Sequence, residues 1–334
     1  MDNGKIFTEG FEKIFSYKSL FSSWLEFRNG KREKSDVTDF AIRVSKYLFD
    51  LRNDILSGNY SHGGYKYFRI YEPKVRDIHK ASVRDRVIHH AIYRATYPYF
   101  DRYFVHDSYS CRLEKGTHRA LQRFSNFARK ESNNNTRTIW VLKGDIRKCF
   151  ASIDHNILKK LIGRHIKCPK IISIINVVID SFSSVSVGKG IPLGNLTSQL
   201  FVNVYLNEFD HYIKRILKVK KYIRYADDFV VFSYDRHQLE LLVPKIRDFL
   251  KNTLSLELHP DKVFIRTWHS GVDFLGWVHF PKHRILRKST KISMYQNIFP
   301  ETREEVVASY FGLLNYGNSY KIKSDLCRRL GRPC

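Results

Sequence analysis

Two apolar runs, Lys221–Tyr225 and Phe229–Ser233, are separated only by Ala226-Asp227-Asp228. Strands joined by so short a connection fold back as a hairpin, which carries two adjacent aspartates to its tip. Aspartates at a hairpin tip are ordinarily turn formers. A second acidic strand end changes the reading. Val141-Leu142-Lys143-Gly144-Asp145-Ile146 is a short apolar run closing on Asp145, with basic neighbours Lys143, Arg147 and Lys148. Three carboxylates on strand ends of one sheet suit two Mg²⁺ ions about 3.5–4 Å apart. Hard oxygen ligands suit Mg²⁺, which keeps its remaining positions for water and phosphate oxygens.

Charge points the same way. The 334 residues carry 58 Lys and Arg against 33 Asp and Glu, a net charge of +25, with 14% aromatic side chains. Such an excess suits a polyanion, because each cation that neutralises a phosphate releases condensed counterions. The length allows two domains or one elaborated core, and 43% hydrophobic residues exclude a disordered tail. The cysteines (Cys111, Cys149, Cys168, Cys327 and Cys334) are odd in number, with no C-x-x-C pair. They suggest neither a zinc site nor a disulfide framework and imply a reducing, cytoplasmic setting. The N-terminal stretch lacks a signal-type apolar segment, and no apolar run reaches the ~18 residues of a membrane span. The expectation is a soluble protein with no membrane partner.

Along the chain, residues 1–60 read as helical. Phe40, Val44, Tyr47, Leu48 and Leu51 form one stripe between Asp36 and Ser57. Residues 65–78 alternate aromatic and basic side chains, as strands do. A helix is expected over 83–103, and a polar loop over 107–117. Residues 158–182 read as mostly helical, and a strand could begin at 185–187. Gly190-Ile191-Pro192-Leu193-Gly194 reads as a rigid bend leading into a long amphipathic helix over 195–217, with Leu200, Val204, Phe209 and Ile213 near one face. A helix over 238–254, a strand pair near Val263 and 274–280, and helical spacing around 306–314 complete the pattern. The last 54 residues hold 11 basic and 4 acidic side chains, which extends the polyanion argument to the C-terminal region.

In their order, these pieces resemble a reverse transcriptase, and within that class the group II intron-like prokaryotic enzymes, most of all those of diversity-generating retroelements. The resemblance runs from about residue 65 to 317. Asp145 with Phe150 resembles the first palm motif and Tyr225-Ala226-Asp227-Asp228 the Y-x-D-D motif. The stretch from Gly190 to Gln199 resembles the second palm motif, and Phe274-Leu275-Gly276-Trp277 the primer grip. The implied fold is α+β, a right-hand polymerase with an antiparallel palm sheet backed by helices. Its divisions would be a helical N-terminal segment (1–59), fingers (60–138), palm (139–280) and a short helical thumb (281–334). The implied activity is RNA-directed DNA synthesis by two-metal nucleotidyl transfer. One Mg²⁺ would activate a 3′-hydroxyl, and the other would clamp the triphosphate.

The resemblance also assigns roles. Asp145, Asp227 and Asp228, with the backbone carbonyl of Ile146, would hold the metals. Lys74 and Arg76 would hold the incoming triphosphate, the Arg fork binding two oxygens at once. Phe150 would lie beneath the sugar and exclude a 2′-hydroxyl. Leu193, Gly194 and Gln199 would border the nucleotide, and Phe274, Leu275 and Gly276 the primer. Lys262 would protonate the leaving pyrophosphate or simply contact it. The loop from Asp107 to His118 would touch the template, with a buried structural loop as its rival. Arg86 suits the same fingers motif or a structural ion pair.

One departure is informative. Most reverse transcriptases, such as those of group II introns, carry Gln-Gly where this chain has Leu193-Gly194. Losing that amide removes a donor and an acceptor near the base pair, which implies error-prone copying. The partners implied are a structured template RNA, the RNA–DNA hybrid, deoxynucleoside triphosphates and a small basic accessory protein. The chain ends soon after the thumb, so RNA removal or integration is expected of other proteins. Two alternatives stay open: an antiphage-defence reverse transcriptase of the same fold, and a non-catalytic RNA-binding scaffold. No phosphate-loop motif supports an ATP-driven helicase.

Overall fold

The computed structural model describes residues 6–71, 75–184 and 186–331. Two compact units are interleaved in sequence. The first comprises the described residues up to 106 with 146–216 and 247–257; the second comprises 107–145, 217–246 and 258 onward.

In the first unit the helix Val83–Asp101 is the centre. Its cap is reciprocal: the Ser82 hydroxyl accepts from the Asp85 backbone N–H at 3.2 Å and donates to the Asp85 carboxylate at 2.6 Å. The paired bonds satisfy an otherwise orphaned helix N–H. Val87, Ile88, Ala91 and Ile92 are buried as this helix packs on Tyr17–Arg28 and Leu196–His211. Val87, Ile88 and Ile92 each contribute roughly 1.5–3 kcal/mol by leaving water. The stripe expected over 36–57 is broken into two helices, Ser35–Ile42 and Val44–Leu56, because Arg43 leaves helical geometry (φ −123°, ψ 28°). The helix Leu196–His211 departs further from expectation. Phe201, Val202, Tyr205 and Leu206 are as buried as Leu200, Val204 and Phe209, so it is a core helix rather than an amphipathic one. It continues as a π-helical turn over Tyr212–Ile216.

Strands β1 (Tyr65–Ile70) and β2 (Arg76–Ala81) form an antiparallel hairpin running from Tyr65↔Ala81 to Ile70↔Arg76. Nearly all of β1 is exposed. Its base is tied down by a 2.6 Å hydrogen bond between the Tyr65 and Ser181 hydroxyls.

The second unit holds a four-stranded antiparallel sheet. Its members are β3 (Trp140–Asp145), β4 (Tyr222–Tyr225), β5 (Asp228–Ser233) and β6 (Phe264–Thr267), in the order β4-β5-β3-β6. Gly144 is required here: a Cβ at that position would sit 2.2 Å from the Phe229 ring that lies across it. The helix Thr117–Glu131 covers one face of the sheet with Ala120, Leu121, Phe124, Phe127 and Ala128 and turns basic residues outward. The expected strand pair near Val263 and 274–280 is not a pair. β6 joins the four-stranded sheet, whereas β7 (Val272–Phe274), β8 (Trp277–His279) and β9 (Arg284–Leu286) make a separate antiparallel sheet. Helices Lys288–Asn297, Glu304–Leu314 and Tyr320–Arg329 share a core with Trp268 and Trp277. Cys327 is disulfide-bonded, against the expectation from cysteine spacing.

Candidate active site

The register of the four-stranded sheet assembles the acidic groups. Asp145 ends β3 and is paired with Asp228, the first residue of β5. Tyr225 and Asp228 are also partners, so the β4–β5 connection is only Ala226-Asp227. Ala226 takes φ +54°, a conformation that favours glycine and matches strand twist in two-residue hairpins. Three carboxylates from segments about 80 residues apart in sequence therefore meet at one end of the sheet.

Their electrostatics follow from that closeness. Burial first, and then the neighbouring charges of Asp145 and Asp228, together raise the Asp227 carboxyl to about 6. Two ammonium groups partly offset the crowding. Lys262 Nζ lies 3.3 Å from both carboxylate oxygens of Asp145, and Lys143 Nζ 3.7 Å from Asp228 Oδ1. Lys262 is 51% exposed, and so open an ion pair is worth at most about 1 kcal/mol.

Lys143 is different, with only 9% of its side chain exposed. In the sequence Lys143 stands out only as a basic neighbour of Asp145. Strand alternation was the available signal, since residues 143 and 145 share a face.

The donor set fits a divalent cation: hard oxygens, excess negative charge, and a buried carboxyl that resists ionising unless a cation is near. Among the described residues no three His, Cys, Asp or Glu side chains form a ready-made metal cage. Mg²⁺ typically needs only one or two carboxylates beside water and substrate phosphates.

The other expected site residues divide between the units. Phe274, Leu275 and Gly276 lie in the second. Phe274 is fully buried, its ring 5.2 Å from that of Phe124. Leu275 (φ +51°) and Gly276 (φ +85°) form the two-residue turn between β7 and β8, with the Gly276 carbonyl accepting from the Arg287 N–H at 2.9 Å.

In the first unit Ile146 is buried directly after Asp145. Half-buried Phe150 lies in the short helix Cys149–Ser152, and its carbonyl accepts from the Ile191 N–H at 2.9 Å. Leu193 and Gly194 are strapped to β2: the His79 N–H donates to the Leu193 carbonyl at 3.1 Å, and a Cβ on Gly194 would meet Ile78 at 2.8 Å. Asn195 extends the strap, its amide donating to the His79 carbonyl at 2.9 Å. Gln199 is exposed in the first turn of the following helix, and Arg76 is exposed at the start of β2. Lys74, and Val185 where a strand was expected, lie outside the described residues. Arg86 forms an ion pair with Asp36.

The family pattern described as "Reverse transcriptase (RNA-dependent DNA polymerase)" matches residues 72–279, well over half of the chain. The chain belongs to the reverse transcriptase family. That reverse transcriptase domain, an RNA-directed DNA polymerase module, contains Asp145, Asp227, Asp228 and Lys262. Protein YkfC of Escherichia coli is 28% identical, over 75% of this chain and 74% of its own. The group II intron-encoded protein LtrA of Lactococcus lactis is 23% identical, over 66% of this chain and 47% of its own.

Among solved structures, apo telomerase from Candida tropicalis matches with a TM-score of 0.53 at 12% identity, over 73% of this chain and 50% of that one. Telomerase from Candida albicans in complex with a fragment of telomeric RNA gives 0.51 at 11%, over 76% and 53%. These two likenesses concern the fold, an α+β architecture with antiparallel sheets. The chain spans about half the length of LtrA and of both telomerases. Among the described residues no helix is long and apolar enough to cross a membrane.

Proposed function

We propose that this protein is an RNA-directed DNA polymerase that copies a structured template RNA into cDNA with frequent errors, as part of a diversity-generating retroelement. What supports the polymerase is the convergence of Asp145, Asp227 and Asp228 at one sheet end inside a reverse transcriptase domain. Two Mg²⁺ ions bound by these carboxylates and the Ile146 carbonyl would supply activation of the primer 3′-hydroxyl and neutralisation of the triphosphate.

The chain's own groups do the rest. Lys262 holds a proton on Nζ within reach of the acidic cluster, where it contacts or protonates the departing pyrophosphate. Lys74 and Arg76 bind triphosphate oxygens. Phe150 excludes a ribose 2′-hydroxyl, and Gln199 borders the nucleotide with Leu193 and Gly194. The β7–β8 turn at Phe274–Gly276 supports the primer. Fingers over 60–138, palm over 139–280 and thumb over 281–334 remain our assignment, as do the basic accessory partner and the cytoplasmic setting.

The error-prone reading is supported by Leu193, whose apolar side chain stands where an amide would report on the base pair. The decisive experiment is primer extension on an RNA template with Mg²⁺ and deoxynucleotides, followed by sequencing. The proposal expects cDNA with substitutions concentrated at template adenines. Absence of any extension overturns the polymerase, and accurate cDNA overturns the diversification role.

A further inference from the structure

We infer that Arg224 is a positioning residue that holds the Tyr225–Asp228 turn in its working shape, with the loop from Asp107 to Thr117 as its abutment. The inference rests on the polymerase reading above and deepens it.

Arg224 is a fully buried arginine. Taking a guanidinium out of water is costly unless its donors are satisfied. Its neighbours on β4, Tyr222 and Ile223, show that the strand needs no charge in order to pack. Two of the donors indicate what the charge is for. Nη1 donates to the Ala226 carbonyl at 3.0 Å, and Nη2 to the Ser108 hydroxyl at 3.0 Å. The first bond grips the one turn residue whose backbone is held at positive φ. The second ties that turn to a loop that is itself immobilised.

The loop was expected to touch template, with a buried structural loop as the rival; its first part, Asp107, Ser108, Tyr109 and Ser110, is buried as the rival has it. Its segment Asp107–Tyr109 meets β4 through a single parallel bridge. The Arg224 N–H donates to the Asp107 carbonyl at 2.9 Å, the Tyr109 N–H donates to the Arg224 carbonyl at 3.0 Å, and Ser108 bridges Arg224 in parallel. From the Asp107 side chain a further bond reaches the helix Thr117–Glu131, where Arg123 Nε donates to its carboxylate at 2.8 Å. At the loop's other end the Thr117 hydroxyl lies 3.1 Å from the Tyr225 hydroxyl. The turn bearing Asp227 is therefore held through Arg224 and through Tyr225, by one loop. Since geometric errors of about 1 Å can cost 10²-fold in rate, this double hold acts on catalysis without touching substrate.

The test compares wild type with Arg224→Met, Ser108→Ala, Thr117→Val and Thr117→Ser in two readouts. In primer extension, Arg224→Met should lower kcat at least ~30-fold and Ser108→Ala and Thr117→Val about 3–10-fold. KM for deoxynucleotide and RNA affinity should stay within about twofold, and Thr117→Ser should keep wild-type kcat. In amide hydrogen exchange without nucleotide, peptides covering 224–228 should exchange faster in the three impaired variants, with helix Leu196–His211 unchanged. Should Arg224→Met fail to fold, the two smaller deletions decide. Wild-type kcat with wild-type exchange in Ser108→Ala and Thr117→Val overturns the inference. A wild-type protein that never extends a primer overturns the polymerase reading instead, and exchange at the turn still judges the hold exerted by Arg224.

Discussion

Asp145 stands directly across the β3–β5 ladder from Asp228, as the last residue of one strand against the first of the other. Antiparallel partners lie about 4.5–5.5 Å apart at Cα, so two carboxylates here repel unless a cation joins them. With Asp227 in the adjoining turn, the arrangement is held against its own charge. Replacing Asp145 or Asp227 with Asn should lower kcat for primer extension on the order of 10³-fold, the equivalent of several kcal/mol in the transition state. RNA affinity should hardly change, because it comes from basic residues elsewhere. Steady-state kinetics beside filter binding check this, and retained extension in both variants refutes the assignment.

Lys262 offers a cleaner separation of chemistry from stability. Its contact with Asp145 is half exposed, so Lys262→Met should shift the thermal midpoint by no more than a degree or two. If Nζ handles the leaving pyrophosphate, kcat should nevertheless fall about 10²-fold. A variant with unaltered turnover would reduce Lys262 to a surface ion pair.

Buried histidines make stability depend on pH. Burial pushes His89 down to about 3, helped by neighbouring His62, and pushes His279 down to about 3 as well. Both are neutral in the native chain over the range where an unfolded histidine, with its ordinary value near 6.5, takes up a proton. The unfolded state then binds more protons, so stability is complete above pH 6.5 and is lost as pH falls toward 3. Each group contributes a slope of up to about 1.4 kcal/mol per pH unit. Thermal melts between pH 7.5 and 5 should show the midpoint dropping, and His279→Gln should flatten the profile. A pH-independent midpoint would contradict the buried neutral state.

The acidic end of the sheet was legible because it depends on local signals: an apolar run, an acidic end, a two-residue turn. Strand pairing then fixed the rest, since β-type runs closing on Asp145 and opening on Asp228 can be antiparallel neighbours in few ways. Burial partners were not legible. Nothing near Arg224 or Ser108 announces that one lies under the other, 116 residues away. Composition marked 107–117 as a polar loop but could not show that its first residues, Asp107–Tyr109, bond to Arg224 of β4. For the helix Leu196–His211 the signal was present: Phe201, Val202, Tyr205 and Leu206 add a second apolar face, the mark of a core helix.

Leu193 is the place where a single side chain should separate accuracy from activity. Its backbone is already fixed, the carbonyl accepting from the His79 N–H and Asn195, two residues on, donating its side-chain amide to the His79 carbonyl of β2. Substitution therefore changes the side chain while the main-chain bend is preserved. Leu193→Gln adds a donor and an acceptor with little change in volume. Where an amide reads the base pair, a mismatch leaves buried polar groups unpaired, at a cost of roughly 1–3 kcal/mol for each, which corresponds to about 5–150-fold in discrimination. Misincorporation opposite template adenine should accordingly fall several-fold, with kcat for correct nucleotides within about threefold of wild type. Deep sequencing of cDNA made by both proteins on one RNA template measures it. An error spectrum identical in the two would show that Leu193 does not set fidelity, and low accuracy would then need a source elsewhere around the nucleotide.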